Sequence, residues 1–89
     1  MDLEAFKASL GLHFQISNAR DATDVHISCF CADATIPRFG EVVVYISNPY
    51  NTNHWNVWIE PAQSGADLVA VIGADSGEDA VNQFVEKVA

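Results

Sequence analysis

The chain has 89 residues, the size of one domain, and residues 1–89 are read as a single unit. Hydrophobic residues make up 49% and charged residues 18%, which excludes a disordered chain and supplies a small core. Twelve acidic side chains against four basic ones give a formal charge of −8, a field that repels polyanions and argues against direct nucleic-acid binding.

Asp2 is placed to cap a first helix whose apolar positions, Leu3, Phe6 and Leu10, share one face, with Gly11 as its stop. From Leu12 the period changes to two. Leu12, Phe14 and Ile16 alternate with His13, Gln15 and Ser17, and residues 18–23 form a polar loop. Val25, Ile27, Cys29 and Cys31 then alternate with His26, Ser28 and Phe30, and residues 33–40, with Pro37 and Gly40, read as a longer connection. Val42, Val44 and Ile46 define a third strand. A turn-rich stretch, 48–53, leads to a fourth strand on Trp55, Val57 and Ile59, ended by Pro61. A fifth strand is expected from about residue 67 to residue 72. Ser76 with Asp79, or Asp75 with Glu78, caps a last helix whose stripe is Val81, Phe84, Val85 and Val88.

Every link between strands is too short for a crossover helix, so neighbouring strands should pair antiparallel. The expected fold is α+β: a five-stranded antiparallel meander flanked by an N-terminal and a C-terminal helix, both packed on one sheet face. By strict alternation the core face collects Leu12, Phe14, Ile16, Val25, Ile27, Cys29, Cys31, Val42, Val44, Ile46, Trp55, Val57, Ile59, Leu68, Ala70 and Ile72. The opposite face collects all three histidines, His13, His26 and His54, with Phe30, Val43, Tyr45, Asn56, Trp58, Glu60, Val69 and Val71 among others. A solvated face would be richer in Thr, Lys and Glu. So apolar and aromatic a face marks either a contact surface or a face covered by the connections at 18–24 and 33–40.

Cys29 and Cys31 lie two apart on one strand, where a disulfide is geometrically awkward. They are expected to be reduced, buried and directed to the core. With the histidines on the other face, no zinc site and no Cys–His nucleophile is expected. The sequence 73–77 precedes a helix but lacks the spacing and the lysine of a phosphate loop. No catalytic residue, metal or cofactor is therefore assigned. The N-terminus has neither a basic nor an apolar leader region, and no apolar run approaches the ~20 residues of a membrane span, so a cytoplasmic protein without membrane contact is expected.

The leading expectation is a small acidic, non-enzymatic interaction module. It would inhibit a partner by docking on a basic surface, such as that of a nucleic-acid-binding complex, with carboxylates where phosphates would lie. Compact acidic phage proteins that block host defence, anti-CRISPR proteins among them, are similar in size and character, a likeness of class without a shared motif. The partner-binding residues expected are Asp21, Asp24, Tyr45, Tyr50, Trp58, Glu78 and Asp79. The alternatives are an acidic chaperone-like protein or structural homodimer, or a small-ligand-binding or enzymatic module using the open sheet face.

Overall fold

Five antiparallel strands pair in sequential order into one open sheet, and both helices lie on one of its faces. The computed structural model describes residues 1–23, 27–49, 53–60 and 69–89, together with all of their side chains except that of Ile27. The elements are α1 (Leu3–Gly11), β1 (Gln15–Asp21), β2 (Ile27–Ile36), β3 (Gly40–Pro49), β4 (Trp55–Glu60), β5 (Ala70–Ala74) and α2 (Gly77–Val88). The α+β meander with both helices on the Val44 and Ile59 face is as the periodicity predicts.

The helix ends follow their sequence signals. The Asp2 carboxylate accepts the Ala5 N–H at 2.8 Å, and the Ser76 hydroxyl accepts the Asp79 N–H at 3.1 Å. Gly11 is the last helical residue of α1 rather than a left-handed stop, so Leu12 belongs to the helix end. It is 82% exposed and not the first core residue of a strand.

Cross-strand register shows which side chains share the helix-covered face. Phe30 pairs with Ile46, Ile46 with Val57 and Val57 with Val71, while Ala32, Val44 and Ile59 form the next row. Phe6 and Leu10 from α1 and Val81, Phe84 and Val88 from α2 close over these rows. Phe6 stacks on Phe30 with ring centroids 6.5 Å apart.

This register reverses the expected faces of β2. Phe30, Ala32, Ala34 and Ile36 point to the helices, whereas Cys31 pairs with Tyr45 and Cys29 with Ser47 on the opposite face. Both cysteines are buried, but not in the helix-covered core. The strand carries apolar residues at both parities, and bulk decides between them: Phe30 and Ile36 fill the core while Asp33 and Thr35 take the other side.

Both long connections prove shorter than expected. β1 continues to Asp21 through a bulge between Ser17 and Arg20, where Asn18 adopts φ 52°. Asparagine tolerates that left-handed conformation, and the extra residue turns Ala19 to the core and Arg20 outward. β2 runs to Ile36, and 37–39 form a tight turn closed by the Phe39 N–H donating to the Ile36 carbonyl at 2.8 Å. Pro37 sets the first corner and Gly40, at φ 75°, completes a three-residue hairpin loop. Residues 18–21 and 33–36 are therefore sheet and do not cover it.

β5 also differs in parity. Val71 is buried, Val69 packs on the core and Ile72 is 77% exposed. A bulge opposite Asn56 follows and returns Ala74 to the core, with Gly73 at φ 77° and its N–H donating to Asn56 Oδ1 at 2.9 Å. Val25, Leu68 and the start expected for this strand at residue 67 lie outside the described residues.

The reversed faces make a direct prediction. Phe30→Ala should destabilise the chain by about 3 kcal/mol or more, and Ile72→Ser by no more than about 0.5 kcal/mol, as read by urea unfolding. A larger loss at Ile72 than at Phe30 would mean that the strict alternation was right.

Candidate functional site

The sheet face without helices is built from four cross-strand rows, of which Cys29, Ser47 and Asn56 make the last. Gln15, Thr35 and Glu41 make the first, and Ser17, Asp33, Val43 and Glu60 the second. Arg20, Cys31, Tyr45, Trp58 and Ala70 make the third, across all five strands. In its middle the Tyr45 and Trp58 rings stack 5.4 Å apart with planes within 6° of parallel. Such a pair contributes about 0.5–1.5 kcal/mol beyond its buried area. Small residues on either side, Cys31 and Ala70, leave both rings half-exposed rather than enclosed.

Beside this pair lies a groove of about 580 Å³ lined by Gln15, Ser17, Asp33, Thr35, Glu41 and Val43. Its cause is side-chain length: Ser17, Thr35 and Val43 are short, and Gln15 and Glu41 at the rim are long. Asp33 accepts from Arg20 Nη1 at 3.3 Å and from Asn18 Nδ2 at 3.4 Å, and Arg20 also donates to the Asn18 carbonyl at 2.8 Å.

The chain's cations are all engaged internally. Lys7 pairs with Glu4 at 3.8 Å, Arg20 with Asp33, Arg38 donates to the Ala89 carbonyl and Lys87 to the Ala70 carbonyl, both at 3.0 Å. Glu41 and Glu60 form no ion pair among the described residues. The face therefore presents carboxylates with no internal counter-charge beyond Arg20. Desolvation, and after it the nearby Glu60 carboxylate, push the Tyr45 phenol above its usual value.

Of the residues expected to contact a partner, the structure brings Tyr45 and Trp58 together on this face. Asp21 sits at the end of β1, opposite the core residue Phe30, and accepts the Thr23 N–H at 2.7 Å. The Thr23 hydroxyl, and after it that N–H contact, hold its carboxyl below the ordinary aspartate value. Glu78 and Asp79 lie in the first turn of α2, in the helix layer and away from the aromatic pair. Asp24 and Tyr50 lie outside the described residues. Asp33, Glu41 and Glu60 are the acids that accompany the pair. The positions of Glu41 and Glu60 follow from alternation with Tyr45 and Trp58, whereas Asp33 required the corrected register of β2.

The histidines do not assemble a site here. His13 precedes β1 at one end of the sheet, and His54 precedes β4 at the other end, near Gly73. His26 lies outside the described residues. Among the described residues no three His, Cys, Asp or Glu side chains come together to hold a metal ion, and no helix is long and apolar enough to cross a membrane. Comparison with protein-family models, curated proteins and solved structures finds no match to this chain.

The environment of Tyr45 sets an alkaline prediction. A raised phenol value in the folded state leaves stability intact below the ordinary tyrosine value of about 10 and diminishes it as pH rises from there through the folded value. Glu60→Gln should move the Tyr45 transition downward in a spectroscopic pH titration. An unchanged transition would show that Glu60 does not act on the ring.

Proposed function

We propose that this chain is a non-enzymatic interaction module that docks its helix-free sheet face on a basic surface of a partner protein. A nucleic-acid-binding surface is the kind of partner that fits best, since it is built to receive negative charge on a defined spacing. The observation that carries the reading is the stacked, half-exposed Tyr45–Trp58 pair on a face bordered by Glu41 and Glu60. Charge raises the encounter rate, and desolvation of the rings supplies the short-range energy. The reading puts the chain in the functional class of small acidic inhibitors of the phage anti-defence type, anti-CRISPR proteins included. Two cysteines two residues apart on one strand, where a disulfide is awkward, agree with a reducing, cytoplasmic setting.

Self-association through the same face is disfavoured, because paired copies would bring Glu41 and Glu60 together without a free cation to offset them. The histidine-based enzymatic alternative lacks convergent groups, with His13 and His54 at opposite ends of the sheet.

The test is capture from a bacterial lysate followed by competition. The immobilised chain should retain a basic nucleic-acid-binding protein at low salt and release it at high salt or when excess duplex DNA or RNA is added. Tyr45→Ala and Trp58→Ala should each weaken the purified complex by about 2 kcal/mol, with far-UV circular dichroism unchanged. Retention that ignores nucleic acid, or folded variants that bind like the parent, would refute the reading.

A further inference from the structure

We infer that the groove beside the aromatic pair seats an arginine side chain of the partner, its guanidinium lying over Val43. The inference rests on the docking function proposed above and specifies its chemistry. Val43 stands at the centre of the face. Asp33 and Glu60 are directly opposite it on the two neighbouring strands, and Glu41 and Tyr45 are two residues away on its own strand. Directly opposed residues are about 5 Å apart and alternate residues along a strand about 7 Å. A cation over the Val43 methyls is therefore within side-chain reach of three carboxylates and of the Tyr45–Trp58 stack.

That arrangement selects a guanidinium over an ammonium. A guanidinium is flat and weakly hydrated, so its faces tolerate a methyl floor and an aromatic wall. Its five N–H donors point outward in plane, where carboxylates accept them in pairs. An ammonium holds its water more tightly and has no flat face to lay on Val43 or Tyr45. The chain already contains the same contact in miniature: Arg20 donates to the Asp33 carboxylate at 3.3 Å. Arg20 is tied back to the Asn18 carbonyl, and Glu41 and Glu60 form no ion pair among the described residues, so charge complementarity calls for a cation from outside. The groove of about 580 Å³ admits the side chain together with its neighbouring backbone, for which Gln15, Ser17 and Thr35 offer neutral hydrogen-bonding groups.

The test uses hexa-arginine and hexa-lysine peptides as probes of the isotope-labelled full chain, followed by NMR. Hexa-arginine should bind about fivefold or more tightly than hexa-lysine. The largest shifts should fall on the Val43 and Tyr45 amides and the Trp58 indole N–H. Glu41→Gln and Glu60→Gln, both at exposed positions, should each weaken hexa-arginine by about three- to fivefold, while Glu78→Gln leaves it unchanged. Equal affinity for the two peptides, shifts centred on the start of α2, or no effect of either variant would overturn the inference. A natural partner that needs Tyr45 and Trp58 but ignores Glu41 and Glu60 would also overturn it, and would leave the docking function standing. Hexa-arginine seated in the groove while no basic protein is retained from lysate would uphold the guanidinium seat and refute the docking function.

Discussion

The register of the central hairpin decides what each face of this sheet can do. β2 and β3 pair over ten positions, from Ile36 opposite Gly40 to Ile27 opposite Pro49. The tight turn at 37–39 joins them, with Pro37 at its first corner and Gly40 in the left-handed region. Side chains alternate with a period of two, so a slip of one residue here would exchange the faces of every side chain on one strand. With the turn as it stands, Phe30 meets Ile46 beneath Phe6, and Cys31 meets Tyr45 on the other side. The helices cover the first of these faces because both have one apolar stripe to bury and that face is apolar on all its central strands. The second face is left for Tyr45 and Trp58.

That second face combines features that stability alone does not require. A stacked aromatic pair half in water sits beside a groove, and the nearby carboxylates Glu41 and Glu60 have no ion pair among the described residues. The chain's four cations are each held by an internal acceptor, so they do not offset the acids elsewhere on the surface. Exposed pairs such as Arg20–Asp33 contribute no more than about 1 kcal/mol to folding. Their larger consequence is electrostatic, since they leave the uncompensated charge concentrated in carboxylates. Such a surface attracts cationic partners over a distance of about one Debye length and discriminates among them at contact.

Element type and order were legible in the sequence because each rests on a strong local signal. The caps at Asp2 and Ser76, the helical stripes and the switch to a period of two all have counterparts in the structure. The faces of β3 and β4 were legible as well, since Val42, Val44 and Ile46 are unbroken and Tyr45 and Trp58 fall between core residues. The parity of β2 and β5 was not. In β2, alanines at 32 and 34 are weak apolar markers, and cysteines at 29 and 31 mimic a core stripe. Asp33 and Thr35 carried the deciding signal, but only once residues 33–36 are understood as strand. In β5 the run from Val69 to Ile72 is apolar at both parities, and a Gly73 bulge adds a residue that alternation cannot anticipate. The same limits governed the site: Tyr45 and Trp58 could be found from alternation, and Asp33 could not. Asp21 ends β1 and accepts the Thr23 N–H, and Glu78 and Asp79 stand in the first turn of α2.

Hydroxyl-radical footprinting of the complex with a captured partner tests the central claim most directly, because it reads side chains on both faces at once without altering any. Oxidation of Tyr45 and Trp58 should fall when the partner binds. Met1, half-buried against Gly77 on the helix side, should be oxidised as in the free chain. Protection of Met1 and the start of α2, with Tyr45 and Trp58 unchanged, would place the partner on the opposite side of the molecule and contradict the account.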